Sequence, residues 1–223
     1  VVLEVGLGGR LDATNVIEKP LVSVITRIDL DHMAVLGDTV EKIAAEKCGI
    51  IKDGCPVVML RDNLPAAASV IKDFAARHGS RLIVPEIPDD ITDKGLLGSE
   101  FYYRGMNIKV PLAGHHQVGN AATAIEAVLA AFPDVSFSAI ESGIANVRFP
   151  ARCEVISREP LVLLDGSHNP NGTAALDGLL NSCGINNAVC IAGFMADKDV
   201  KDAFLNVASH FKKAITVTVK SNS

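Results

Sequence analysis

Short apolar runs that alternate with helical segments are the feature that most constrains how this chain can fold. The runs at Val1 to Val5 and Leu21 to Thr26 are rich in β-branched residues, as is typical of strands buried in parallel sheets. Two further strands are predicted at Val57 to Leu60 and Leu82 to Val84, with helices at Thr39 to Lys47 and Pro65 to His78. This alternation of strand and helix predicts an α/β fold.

The pattern changes after residue 100 and then returns. A β-hairpin is predicted from the runs on either side of Arg104-Gly105-Met106, and helices follow at Asn120 to Phe132 and Ser136 to Asn146. We place a domain boundary at residues 148–152, where a proline interrupts the helical pattern. Beyond it a second α/β series is predicted, with strands at Leu161 to Leu164, Ala188 to Ala192 and Ala214 to Val219 and helices at Gly172 to Leu180 and Asp199 to Phe211. The predicted domains are therefore residues 1–147 and 153–223.

Composition and charge argue against several classes of protein. Of the 223 residues, 48% are hydrophobic and 21% are charged, so the chain can bury a core. The formal net charge of −5 disfavours a nucleic-acid binder, which usually carries a basic excess. No stretch approaches the roughly 20 apolar residues that span a bilayer, so we expect no membrane partner. Five cysteines without C-x-x-C spacing argue against a disulfide framework and a thiolate zinc site, and they favour a cytoplasmic location.

Two polar side chains lie near the ends of the first two predicted strands. Glu4 is a carboxylate in a run that should be buried, where it is costly unless it is paired or bound to a metal. His32 follows the second strand, next to Asp31. Ligands of open α/β sheets bind outside the carboxyl ends of strands, so Glu4 and His32 could converge on a divalent ion. The alternatives are that Glu4 binds loop amides and that His32 belongs to a surface Asp-His pair.

Lys47 lies on the apolar stripe of the first predicted helix. The helix should begin with a capping box of Asp38 and Glu41 and stop at Gly49. Lys47 follows Val40 by seven residues, which places it within about 20° of that residue around the helix. A lysine on an inward stripe breaks a local rule, and such breaks mark functional sites. The alternative is a snorkelling side chain whose ammonium reaches water at the helix end.

The second predicted domain offers a third group of candidates. Asp165 and His168 stand between a strand and a helix, where Asn169 or Asn171 can cap the helix and leave its N-terminus able to hold an anion. Arg152 lies in the predicted linker, and arginine is suited to bidentate contact with phosphate. For Asp165 and His168, the alternative is a capped loop that binds no ligand.

Seven motifs, taken in order along the chain, resemble those of folylpolyglutamate synthase/dihydrofolate synthase, a branch of the Mur ligase superfamily. They are EVGLGGRLDATN at residues 4–15, LDH at 30–32, EKCGIIK at 46–52, HQVGNA at 116–121, FPAR at 149–152, DGSHNP at 165–170 and DKD at 197–199. The resemblance covers essentially the whole chain. It implies part of an ATP-binding central domain of the Mur-ligase type, followed by part of a Rossmann-like C-terminal domain.

The resemblance also implies a reaction. ATP phosphorylates a folate or dihydropteroate carboxylate, the amine of L-glutamate attacks the acyl phosphate, and ADP and phosphate leave. An enzyme of this kind is expected to be a cytoplasmic monomer that depends on Mg²⁺.

Roles for individual residues follow from the same resemblance. Glu4 and His32 would hold Mg²⁺, together with Lys47 as a carbamylated lysine. The family further implies that four residues contact ATP. Asn120 would face the adenine, Arg152 would reach the phosphates, and Asp165 and His168 would contact the ribose-phosphate side.

One departure from the family is serious. The chain contains no Walker A pattern, the Gly-rich phosphate loop that precedes the Glu4 motif in the family. The chain also begins inside an apolar run without methionine and stops just after a strand-like run. We therefore expect a fragment that is inactive by itself. Two alternatives stay open: a Mur-type ligase with another acceptor, and a non-catalytic remnant that binds ATP or folate.

Overall fold

The computed structural model describes residues 1–195 and 200–218, which are organised as two compact units. The first unit comprises residues 1–89 and 118–142, and the second comprises residues 90–117 and the chain from residue 143 onward. The domain boundary that the sequence places at residues 148–152 stays a prediction. The DKD motif at 197–199 and the last residue of the strand predicted at Ala214 to Val219 lie outside the described residues.

The first unit is built on a three-stranded parallel sheet. Its elements are β1 (Ser23–Ile25), α1 (Met33–Leu36), α2 (Val40–Cys48), β2 (Val57–Met59), α3 (Pro65–Arg77), β3 (Leu82–Ile83) and the larger parts of α4 (His116–Ala131) and α5 (Phe137–Ala145). The strand order is β1-β2-β3, with Val57 of the central strand opposite both Ser23 and Leu82. All three residues of β2 are buried, as expected for a parallel strand covered on both faces.

The second unit combines antiparallel and parallel pairs of strands. Its elements are β4 (Asp89–Asp93), β5 (Ser99–Tyr103), β6 (Met106–Val110), β7 (Glu154–Arg158), β8 (Leu161–Leu164), α6 (Pro170–Ser182), β9 (Ala188–Ala192), α7 (Val200–Val207) and β10 (Phe211–Thr216). β4, β5 and β6 form one sheet, β7 pairs with β8, and β9 runs parallel to β10. The predicted hairpin is confirmed as β5–β6, whose buried residues alternate with half-buried or exposed ones.

A buried histidine ties α6 to the end of the second unit. His210 is 2% exposed, and its two ring nitrogens lie 2.8 Å from Asp177 Oδ1 on α6 and 2.8 Å from the Ile185 carbonyl oxygen. A protonated ring nitrogen therefore has an oxygen acceptor on either side of the ring, so this buried polar side chain is not left unpaired.

Two expectations from the sequence are wrong. Val1 to Val5 form no strand, and the first three of these residues are exposed, because no described strand pairs with them and an unpaired segment cannot form a ladder. The cap of α2 is Thr39, whose side chain accepts from the Lys42 amide, while Asp38 instead pairs with the Lys42 ammonium at 2.8 Å. The stop at Gly49 is confirmed.

The helices of the described residues do not reach the combination of length and apolar character that a membrane crossing requires.

Replacing Ser99 by alanine should stabilise the protein. The Ser99 hydroxyl is buried on β5 and finds no hydrogen-bond partner among the described residues. A buried unsatisfied polar group costs about 1–3 kcal/mol, so Ser99→Ala should raise the free energy of unfolding by about 1 kcal/mol in urea titrations. Ser23→Ala is the matched control, because buried Ser23 donates to the Ile50 carbonyl at 2.9 Å and its loss should lower stability. A destabilised Ser99→Ala would contradict the assignment.

Candidate active site

A single aspartate folds the loop that follows Glu4. Asp12 Oδ2 accepts the amides of Gly6 and Leu7, both at 3.0 Å, and Oδ1 accepts the Thr14 hydroxyl at 2.6 Å and the Thr14 amide at 2.9 Å. These bonds, the Thr14 hydroxyl first among them, lower the pKa of Asp12 to about 2. Asp12 therefore stays a carboxylate at every ordinary pH and keeps the loop of residues 6–15 in one shape.

This loop docks on the last turn of α2. The Arg10 amide donates to the Glu46 carbonyl at 2.9 Å, and the Arg10 guanidinium reaches Glu46 Oε1 at 3.0 and 3.1 Å. Asn15 Nδ2 donates to the Gly49 carbonyl at 3.0 Å. An exposed ion pair alone contributes little. The two hydrogen bonds to main-chain carbonyls of residues 46 and 49 are what hold the loop to the turn that carries Lys47.

Two glycines make this close approach possible. A Cβ on Gly9 would lie 2.8 Å from the Lys47 carbonyl oxygen, and a Cβ on Gly49 would lie 2.4 Å from both Cα and Cβ of Arg10. Gly49 has a right-handed helical φ of −59°, which other residues adopt freely. A glycine is needed at this position because a side chain would not fit, and not because of the backbone conformation. Loop and helix therefore meet backbone to backbone.

The three predicted metal ligands occupy different settings in the first unit. Glu4 is exposed and lies outside any strand, His32 is exposed at a left-handed φ of 52° just before α1, and Lys47 is half-buried on α2. No hydrogen bond or ion pair joins these three to one another among the described residues, although the loop after Glu4 contacts the turn of Lys47. The role of each as a ligand stays a prediction.

The donor set fits a magnesium ion on chemical grounds. Residues 1–195 and 200–218 hold no group of three or more His, Cys, Asp and Glu side chains placed to bind a metal. Mg²⁺ usually keeps several waters and is bound by one or two carboxylates beside substrate phosphates. The Glu4 carboxylate is a ligand of this type, whereas imidazole is more typical of zinc, copper and iron, so the pairing of Glu4 with His32 stays a prediction.

Arg152 and Asp165 line one small pocket of the second unit. The pocket has a volume of about 60 Å³, and its walls also include His116, Cys153 and the first turns of α6. His168 does not line this pocket; it is exposed, with Nδ1 3.1 Å from the Gly166 carbonyl. The predicted cap of α6 is confirmed, because Asn169 Oδ1 accepts the Gly172 amide at 2.9 Å.

Hydrogen bonds keep Asp165 ionised in this pocket. Its Oδ2 accepts the amide and the thiol of Cys153 at 2.9 and 3.3 Å, and its Oδ1 accepts the Ser167 amide at 2.9 Å. Burial by itself would raise the pKa of Asp165, but the bonds from Ser167 and Cys153 outweigh it, so the pKa lies below its ordinary value. Burial, with the Asp165 charge, raises the pKa of Cys153 to about 12, so this thiol stays protonated and donates.

The backbone around Arg152 is held in an uncommon conformation. Ala151 and Cys153, on either side of it, have φ values of 56° and 48°, and the Gly166 amide donates to the Ala151 carbonyl at 2.8 Å. The Arg152 guanidinium lies 5.3 Å from the centre of the Phe149 ring, a cation–π contact. These contacts orient a cation that lines the same pocket as the ionised Asp165.

Three residues of this pocket received no role from the sequence. Although His116 as a whole is exposed, desolvation of its ring lowers its pKa, and the Arg152 charge adds to this while Asp165 opposes it. Cys153 and Ser167 bond Asp165 directly. His116 stands in a motif that the sequence singles out, but nothing local marks it as a neighbour of Asp165.

Asn120, the predicted adenine contact, is exposed on α4 in the first unit.

Comparison with known proteins places the chain in a family. Residues 1–128 match the Mur ligase middle domain. The chain is 38% identical over 209 residues to the folylpolyglutamate synthase of Lacticaseibacillus casei and 38% identical over 213 residues to the dihydrofolate synthase/folylpolyglutamate synthase of Bacillus subtilis strain 168. Each match covers 89% of this chain and 48% of the relative. The chain thus spans about half the length of the curated relatives it matches.

Solved structures agree with these relatives. An FPGS–AMPPCP–folate complex superposes with a TM-score of 0.89 at 35% identity, covering 98% of this chain and 56% of that one. Mycobacterium tuberculosis folylpolyglutamate synthase complexed with ADP gives a TM-score of 0.86 at 30% identity, covering 98% and 51%. The α/β fold, with a central domain of the Mur-ligase type, is confirmed. The chain belongs to the Mur ligase family, in the branch of the folylpolyglutamate and dihydrofolate synthases.

Proposed function

We propose that the protein containing this chain is an ATP-dependent ligase that adds L-glutamate to a folate or to dihydropteroate. The observation that carries the proposal is the match, along nearly the whole chain, to a synthase complexed with AMPPCP and folate. In the proposed reaction the γ-phosphoryl group of ATP passes to a carboxylate oxygen of the folate. The amine of glutamate then attacks the acyl carbon, phosphate leaves and an amide forms.

The first unit would hold the metal and the adenine. Glu4 and His32 would bind Mg²⁺, and Lys47 would join them as a carbamate. Carbamylation would replace the half-buried cation with an anionic group whose oxygens can bind the metal. When bound, Mg²⁺ offsets negative charge on the transferring phosphoryl group. The loop of residues 6–15, which is hydrogen-bonded to α2, would fix the position of Glu4 relative to the turn that carries Lys47. Asn120 would face the adenine.

The second unit would hold the sugar and phosphates of ATP. Arg152, oriented by Phe149 and by its constrained backbone, would contact phosphate oxygens. Asp165, kept ionised by its hydrogen bonds, would accept from ribose hydroxyl groups, with His168 beside the phosphates. As further parts of the proposal, the protein is monomeric and cytoplasmic and has no nucleic-acid or membrane partner.

The proposed activity predicts ADP release that requires both acceptor and amino acid. The protein, expressed from its complete coding sequence, should release ADP with dihydropteroate or tetrahydrofolate only when L-glutamate and Mg²⁺ are present. Comparison of the two acceptors separates dihydrofolate synthesis from polyglutamate extension. ADP release with a peptide or cell-wall precursor, and none with a folate, would instead favour another Mur-type ligase. Nucleotide binding without any turnover would favour a non-catalytic remnant.

A further inference from the structure

Asn63 bridges the carboxyl ends of β1 and β2. Its Oδ1 accepts the Ile28 amide at 2.8 Å, and its Nδ2 donates to the carbonyls of Thr26 and Leu60 at 3.1 and 3.0 Å. The last two of these partners follow the two strands, whose ladder continues through the bond from the Leu60 amide to the Ile25 carbonyl at 2.9 Å. One half-buried side chain therefore joins three main-chain groups at the edge of the sheet where ligands of such folds bind.

The segment that begins at Ile28 carries His32. Ile28 is 1% exposed and belongs to the core, as does Leu36, which is 8% exposed. His32 lies midway, four residues from each, at a left-handed φ. The amides of Leu30 and His32 donate to the side chain of the residue before them, which shapes the segment only locally. The position of His32 thus depends on how its two core anchors are fixed, and Asn63 fixes the first.

We propose that Asn63 is a positioning residue that sets the place of His32 for metal binding. The inference rests on the proposed function, in which His32 is a ligand. Asparagine suits the task because it offers an acceptor and two donors on one short side chain. Aspartate has the same shape but no donor, so Asn63→Asp would set a negative charge against the carbonyls of Thr26 and Leu60. The segment of residues 28–32 would then shift.

Mn²⁺ binding tests this directly. Mn²⁺ takes the same carboxylate, carbonyl and water ligands as Mg²⁺, and its free ion is measured by electron paramagnetic resonance. In the protein expressed from its complete coding sequence, Asn63→Asp should raise the Kd for Mn²⁺ about tenfold, the low end of what loss of a group bonded directly to a metal ligand costs, because Asn63 acts on His32 only through the main chain. Asn206→Asp is the matched control, since Asn206 also donates to a main-chain carbonyl, that of Pro170 at 2.8 Å, and its change should leave the Kd as it is.

A double-mutant cycle separates positioning from general damage. His32→Ala should weaken Mn²⁺ binding, and adding Asn63→Asp to it should cause no further loss, because the two act through one ligand. Additive losses would overturn the proposal, as would an unchanged Kd in Asn63→Asp. If His32→Ala itself has no effect, the metal role in the proposed function fails and this inference fails with it. If Asn63→Asp does not fold, Asn63→Ser is tested in its place. If neither variant folds, Asn63 is required for folding itself and the proposal is wrong.

Discussion

Gly49→Ala should remove most of the proposed ligase activity of the complete protein. The new Cβ would lie 2.4 Å from Arg10 Cα and Cβ. These atoms cannot move by a change of side-chain rotamer, so the loop must move away from α2. A displacement of about 1 Å in a positioned group costs about 10²-fold in rate, and we expect a fall of that size in glutamate-dependent ADP release. Alanine suits the φ of −59° at this position, so strain in the backbone does not contribute.

Gly178→Ala is the control for this variant. Gly178 lies within α6, and a Cβ there meets nothing within 4 Å. Alanine in a helix interior is favoured over glycine by about 0.5–1 kcal/mol, so this variant should keep its activity and melt slightly higher. A Gly49→Ala protein with wild-type activity would show that the backbone contact between loop and helix is dispensable.

Lys47→Ala should lower the rate of ADP release by about 10²- to 10³-fold, the cost of removing one group that offsets charge in a transition state. Added acetate or formate should restore part of the rate, because a short carboxylate can replace the oxygens of the proposed carbamate. Lys42→Ala is the control on the same helix, since exposed Lys42 pairs with exposed Asp38 and such pairs contribute little.

Lys47→Arg distinguishes a carbamate from a plain cation. Arginine keeps the positive charge but does not form the carbamate, so it should be as inactive as alanine and should also respond to acetate. Full activity in Lys47→Arg, or rescue by chloride at the same ionic strength, would refute the carbamate role.

Most of the elements could be predicted from the sequence because their signals are local. The strand Ala188–Ala192 was predicted at its observed bounds, and α2 ends at the expected glycine. The strand predicted at Val1 to Val5 failed because apolar composition reports a tendency to be buried, while a strand also needs a neighbour. β7 (Glu154–Arg158) was not predicted, since its side chains are mostly half-buried or exposed and lack a clean alternation.

The site was only partly predictable for a similar reason. Arg152 and Asp165 could be proposed because each stands in a loop whose position suits a ligand, and the structure places both on one pocket. That His116 and Cys153 share this pocket follows from tertiary packing, which leaves no mark in the neighbouring sequence. Gly49 was expected to stop a helix; its second use, in a close contact with Arg10, involves a residue 39 positions away.

The protonated thiol of Cys153 has a practical consequence for covalent chemistry. Only the thiolate form of cysteine reacts readily with maleimides, iodoacetamide or peroxide, and a pKa raised to about 12 keeps Cys153 almost entirely in the unreactive thiol form at pH 7. A dye or spin label should therefore react with an exposed engineered cysteine faster than with Cys153. The pocket beside Asp165 would stay chemically intact through labelling and through mild oxidation.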